Sequence, residues 1–296
     1  MEVARRRREL QGLAWGFVGV AIFSLTLPAT RVAVAELDPV LVGLGRSLAA
    51  SVLAALALLI TRQPLPRRDQ IVRLAITASG VVLGFPLITA YAMRYLPSAH
   101  GAIVIGLLPL ATAAIVALAG RERPSRGFWI AAGCGAALVV AFALVDGGGT
   151  LHVADIGLLL AVAVGALGYA EGARLTREMP GWVVISWVLV VAAPFLLPPV
   201  LWSAAVHGVN ASLAAWISFA YVSLFSQYLG FFAWYHGLAL GGVARVAQIQ
   251  LTQPFLTLIA SALLLGENVS MGMIIFASAV VATVAIGRSM PVQPLK

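Results

Sequence analysis

Charge is what this sequence has least of. Of its 296 residues only 10% are Asp, Glu, Lys or Arg, against 61% hydrophobic. Soluble domains carry about 25% charge. A water-soluble chain of this length could not cover its surface with so few ionic groups, so a soluble protein is excluded. Cysteine is nearly absent too. Cys134 is the single one; it rules out an intrachain disulfide and, inside an apolar run, reads as a small packing residue. The four histidines are scattered, no HExxH occurs, and the few acidic residues fall mostly at the ends of apolar runs. A membrane-embedded metalloenzyme or acid–base hydrolase therefore lacks its residues, and we expect no enzyme, no metal and no cofactor. The phosphate-binding loop GxxxxGK[ST] is missing, so the chain has no ATPase of its own. Polar stretches long enough for a soluble domain are missing as well. Arg5–Arg8 precede an apolar run long enough to span, without a convincing small-residue cleavage site, so no cleavable signal is expected.

What is present is hydrophobicity in blocks. Mean hydropathy is +0.99, and a span needs about 20 mostly apolar residues. Ten such blocks can be read: 12–33, 40–60, 72–94, 98–119, 127–145, 154–174, 182–203, 211–234, 243–265 and 269–288. Strand alternation is missing, so this is an all-α integral membrane protein and not a barrel. The net charge of +8 sits in short clusters between the blocks, the pattern of membrane flanks and not of a nucleic-acid partner. With an even number of spans, all but three of the 19 basic residues fall on the side of the termini. Arg31 and Arg94 fall on the other side, and Arg46 lies inside the second block. That asymmetry places both termini in the cytoplasm.

A shift of 145 residues then lays LLPLATAAIVALAGRERPSRG (107–127) on TQPFLTLIASALLLGENVSMG (252–272). Pro109 meets Pro254, Thr112 meets Thr257, Glu122 meets Glu267, Ser125 meets Ser270 and Gly127 meets Gly272. Each half holds five spans, an odd number, so the second half is inverted relative to the first. Inverted repeats of this kind mark transporters. The segments follow: a basic cytoplasmic stretch 1–11, a first five-helix repeat 12–145, a linker 146–153, a second, inverted repeat 154–288 and a cytoplasmic tail 289–296. GxxxG occurs at Gly12/Gly16, Gly80/Gly84, Gly168/Gly172 and Gly237/Gly241, on spans 1, 3, 6 and 8. Such spacing lets helix backbones approach closely and suggests an inner layer that packs and slides.

Ten spans, 5+5 inverted repeats and a Pro-centred fourth span ending in a Gly/Glu turn resemble the drug/metabolite transporter superfamily, in its EamA branch. The resemblance covers nearly the whole chain. The first copy departs from it slightly, with GRE where the second has GE. Length and style resemble YddG-type exporters of amino acids, aromatic ones included. The resemblance implies a secondary transporter in a bacterial inner membrane, exporting amino acids and related small metabolites by alternating access through a central cavity. Multidrug or other metabolite efflux on the same fold is the alternative, and a channel or scramblase a further one. The partners implied are a small solute, an amino acid first, and the lipid bilayer. The oligomeric state is open and compatible with a monomer.

Candidate pathway residues are polar groups at membrane depth, which face a cavity or another helix. Gln248 and Thr252 share one helix face, Gln250 and Gln253 another, roughly 160–200° away. One pair is expected to line the cavity, with interhelical hydrogen bonding as the plainer alternative. Amides donate and accept, which suits a zwitterion. Tyr91, Gln227, Tyr228 and His236 are further candidates, while Tyr95 and Trp234 read as interfacial belt residues. Pro109, Pro254 and Pro86 are candidate hinges, because proline removes a backbone hydrogen bond. His100 and His236 read either as satisfied helix-end residues or as titrating groups. Arg46 is expected to snorkel outward or to pair with a carboxylate, and Glu171 to pair with Arg174. Glu122 and Glu267 are expected to cap the helix that follows each.

Overall fold

The computed structural model describes residues 2–118, 122–241, 246–290 and 292–294. Its helices run in chain order as α1 (Arg7–Glu36), α2 (Pro39–Ile60), α3 (Arg68–Tyr95), α4 (Ser98–Val116), α5 (Arg126–Asp146), α6 (Val153–Leu175), α7 (Gly181–His207), α8 (213–241), α9 (Gln248–Leu265) and α10 (Met271–Ser289). Among the described residues, all of these except α8 are long and apolar enough to cross a membrane, by length and composition. Helix α8 is equally continuous, but its serines, tyrosines and Gln227 dilute its hydropathy. In a bilayer a helix satisfies its own backbone, which is why apolar blocks become helices and not loops. Two short strands, β1 (Glu122–Pro124) and β2 (Val292–Pro294), pair antiparallel and tie the α4–α5 connection to the C-terminal stretch. Helical structure continues α1 back to Glu2, so the basic segment before residue 12 is itself helical. Arg121, Arg245 and Lys296, which entered the orientation argument, lie outside the described residues.

The breaks between helices follow from local chemistry. Ser125 Oγ accepts from Phe128 N, and Ser270 Oγ accepts from Met273 N. These repeat-related serines cap α5 and α10 in the same way. Asp38 caps α2, accepting from Val40 N at 2.9 Å with Pro39 in the first turn. Gly266 ends α9 at φ +64°, a left-handed position that glycine takes without strain. Glu267 departs from the expectation. It accepts from Ser98 N and Ala99 N at 2.8 Å each and pairs with Arg31 at 3.1 Å. It therefore caps α4, a helix distant in sequence, and not the helix that follows it. The side chain of its counterpart Glu122 lies outside the described residues.

Packing joins the halves. Helix α2 lies against α7, α5 against α10 and α4 against α9. Each of these is a pair related by the 145-residue shift, as expected for helices astride a pseudo-two-fold axis. The four GxxxG motifs form two seams, α1 with α8 and α3 with α6. A Cβ added at Gly12 would lie 2.3 Å from Gly241 N, and one at Gly237 would lie 2.6 Å from Gly16 N. A Cβ at Gly80 would lie 2.4 Å from Val164 O and 2.7 Å from Gly168 Cα. Backbones this close exclude any side chain at the contact. Gly16 is less constrained, facing the Val246 side chain, and Gly172 faces the Thr77 methyl, while a Cβ at Gly84 would lie 2.8 Å from Ser79 O. The two seams join repeat-related helices, α1 matching α6 and α3 matching α8, but their glycines are out of register, since the shift carries Gly12 to Gly157 and Gly80 to Phe225.

Large apolar side chains such as Leu59, Ile60, Leu213 and Leu263 are exposed around the bundle, where lipid would meet them. Cys134 is exposed among them and is not the packing residue expected. Trp234 goes the other way, buried beneath α1 instead of forming a belt. At the end carrying the termini, Arg73 bonds both Glu171 and Glu178, Gln70 donates to Glu178, and Arg174 pairs with Glu171 at 3.0 Å. The expected Glu171–Arg174 pair is thus one edge of a network linking α3 to α6.

Candidate functional site

Three helices change their winding near mid-bundle. Residues Ser79–Gly84 of α3 and Val222–Leu229 of α8 form π-helical turns, and Ala247–Thr252 at the start of α9 is a 3₁₀ turn. The shift of 145 carries residue 79 to 224, so the two π segments are repeat-related. Pro86 follows the first, but Phe231 stands at the matching place in the second, so proline is not their common cause. A π turn displaces carbonyls from the usual ladder and is frequent at functional sites. Here the displaced carbonyls find side chains from other helices. Gln227 Nε2 donates to Val81 O at 3.2 Å, and Ser47 Oγ donates to Val82 O at 3.1 Å. The breaks at Gly106–Leu107 and at the 3₁₀ turn precede Pro109 and Pro254, which open the helical stretches that continue α4 and α9.

These irregular turns surround a central cavity with about 780 Å³ of empty space, its open mouth included. Phe23, Thr26 and Leu27 contribute from α1, Arg46 from α2, and Val81 and Phe85 from α3. Helix α4 adds Ala102, Ile105, Gly106, Leu108 and Pro109, and α6 adds Tyr169. Ser226, Gln227 and Phe231 come from α8, and Gln250, Gln253, Pro254 and Thr257 from α9. Thr26 and Ser226 share a hydrogen bond of 2.8 Å across the seam between the halves.

The structure separates the candidates that the sequence left together. Gln250 and Gln253 line the cavity; Gln248 and Thr252 are exposed on the other face of α9. Gln227, Pro109 and Pro254 also line it, while Pro86 is buried nearby without reaching it. Tyr91 does not line it and is 45% exposed. His236 is exposed as well and meets Trp15 edge-on at 5.3 Å. Tyr228 is buried but turned to α7, bonding Ser186 at 2.9 Å. These three residues lie within or beyond the π turns and are not on the cavity lining.

Several lining residues were not among the candidates, Arg46 and Tyr169 foremost. Arg46 is 2% exposed, and its Nε and Nη1 have no hydrogen-bond partner among the described residues. It does not snorkel outward, and it pairs with no carboxylate among the described residues. A cation at the centre of a span costs at least ~2.5–3.5 kcal/mol. Tyr169 lies within electrostatic range of it. The signal for Arg46 was in the sequence, as the charge deepest in an apolar block. Its neighbours come from other helices, so its surroundings were not legible. Tyr169 was hidden inside GYAEG, read there as packing alone.

Closer to the other end, His100 is buried between two carboxylates. Nδ1 is 2.6 Å from Asp146 Oδ2 and Nε2 is 2.6 Å from Asp155 Oδ1. This bridge joins α4 to the end of α5 and the start of α6, away from the cavity lining. Among the described residues, no group of three or more His, Cys, Asp or Glu is placed to hold a metal ion.

Comparison with known proteins agrees with this architecture. The EamA-like transporter family matches twice, over residues 10–144 and 152–287. An uncharacterized transporter of Bacillus subtilis (strain 168), YdeK, is 46% identical over 279 residues, covering 92% of this chain and 95% of its own. A protein of known crystal structure superposes with a TM-score of 0.63 over 93% of this chain and 97% of its own, at 17% identity, and so shares the fold alone.

Proposed function

The chain belongs to the EamA-like transporter family, and from that premise we propose that it exports small amphipathic metabolites, amino acids among them, through the central cavity. The observation that carries the reading is the cavity itself: apolar and aromatic walls with a few polar groups, Gln227, Gln250 and Gln253 among them, inside the helix bundle. Amides there hold a polar head while Phe23, Phe85 and Phe231 receive an apolar body. Alternating access would exchange the roles of the two halves. The repeat-related π turns and the breaks before Pro109 and Pro254 are the natural hinges, because their backbone bonding is already incomplete. The excess of arginine at the terminal end supports cytoplasmic termini in a bacterial inner membrane. Multidrug efflux would need the same walls with fewer polar contacts, so the three amides favour a metabolite.

Purified protein in liposomes tests the proposal. Labelled amino acids and related metabolites should show saturable, competable uptake. Gln250→Ala and Gln253→Ala should each raise KM about 5- to 10-fold, the loss of one or two hydrogen bonds, while Gln248→Ala and Thr252→Ala stay near wild type. Equal effects of all four substitutions, at matched expression, would remove the assignment to this cavity.

A further inference from the structure

Resting on the cavity reading above, we infer that the favoured solute is an organic anion, a carboxylate on an aromatic or branched apolar body, and that Arg46 holds the carboxylate. Arg46 is buried, lines the cavity, and leaves two guanidinium nitrogens without partners among the described residues. It is the one charged group on the described lining; no carboxylate faces the same space. A guanidinium presents parallel N–H donors at the spacing of carboxylate oxygens, so a bidentate pair completes it geometrically as well as electrically. Water can solvate those donors but cannot neutralise the charge. A carboxylate entering the cavity does both.

The remaining lining decides between an anion and a zwitterion. On the described lining an ammonium group would find only neutral amide and hydroxyl oxygens, those of Gln250, Gln253 and Thr257 among them, in a space already positive. Repulsion from Arg46 would act on it at low dielectric, with no acidic side chain to offset it. The apolar body is set by Phe23, Phe85, Phe231 and the ring of Tyr169. The site therefore favours carboxylates without a free amine over the parent amino acids.

Four probes sharing one body separate charge from shape: 3-phenylpropionate (anion), phenylalanine (zwitterion), 3-phenylpropanamide (neutral) and phenethylamine (cation). Each is tested for uptake in proteoliposomes and for stabilisation of the detergent-solubilised protein against heat. The anion should bind at least 10-fold tighter than the zwitterion or the amide, and the cation weakest. In Arg46→Gln the ratio of anion to amide affinity should fall about 10- to 100-fold, the loss of a charge-assisted pair. Arg46→Lys, which keeps the charge and loses the fork, should fall between. Replacing an unpaired buried charge is not expected to harm folding, and the melting temperature without probe checks this. Zwitterion affinity equal to the anion's, or an unchanged ratio in Arg46→Gln, overturns the anion assignment. If Gln250→Ala still raises KM in that case, transport through the cavity stands. If none of the four is taken up or stabilises the protein, the cavity reading falls and the anion assignment with it.

Discussion

Replacing Gly12 by Ala tests whether the α1–α8 seam is held by backbone contact. The added Cβ would sit 2.3 Å from Gly241 N and 2.4 Å from Gly241 Cα, whereas ordinary contact begins at 3.4 Å. The shortfall is 3.4 − 2.3, or 1.1 Å. Both atoms are backbone, so no rotamer change relieves the clash and one helix end must move. Overpacking of this kind costs about 1–3 kcal/mol, partly offset by the roughly 0.5–1 kcal/mol by which alanine is the better helix former. A net loss of about 1–2 kcal/mol is expected, in a setting where close packing, and not water exclusion, drives helix association. Reversible denaturation of the solubilised protein measures it. Gly16→Ala is the graded comparison: its Cβ meets the Val246 Cγ1 side-chain atom at 2.4 Å, which can shift, so its loss should be smaller. Gly133→Ala is the control, because nothing lies within 4 Å of its Cβ and it should be neutral or stabilising. If Gly12→Ala is as stable as the wild type, the seam does not depend on glycine and the reasoning is refuted.

Three further outcomes follow from the polar contacts. His100→Ala leaves the buried Asp155 and the half-buried Asp146 without their shared partner, and should destabilise by about 3–5 kcal/mol; a melting temperature equal to wild type would mean the bridge is not formed. Glu267→Ala removes the cap on Ser98 N and Ala99 N and should cost about 1–2 kcal/mol, with faster amide exchange in the first turn of α4 and not of α10. At the terminal end, hydrogen bonds from Gln70 and Arg73 hold the Glu178 carboxyl below its ordinary value of 4.5. A depressed folded-state value contributes stability above 4.5 that is lost as pH falls through the folded value. Glu178→Gln should therefore flatten the acid limb of the stability profile below that pH and leave the limb above pH 7 unchanged.

The fold class was written in the sequence because lipid imposes a simple rule. Backbone groups in hydrocarbon must bond locally, so apolar blocks had to be helices and their number could be counted. The repeat was equally legible, because Pro, Thr, Glu, Ser and Gly keep one offset, and Ser125 and Ser270 keep one capping role. The site was legible only in part. Gln250 and Gln253 were named, but so were Gln248 and Thr252, since a helix face known to be polar does not say which way it points. The glycine motifs could be seen, but not their partners: α1 seams with α8 and α3 with α6, pairings that need the two halves folded together. Glu267 shows the same limit, capping a helix far away in sequence. Two facts belong to the tertiary structure alone. Tyr91 and His236 lie beyond the π turns and off the cavity lining, which their place in an apolar block does not reveal. Arg46 acquires its meaning from residues on six other helices, whose arrangement leaves a buried charge facing the cavity with no carboxylate on the described lining.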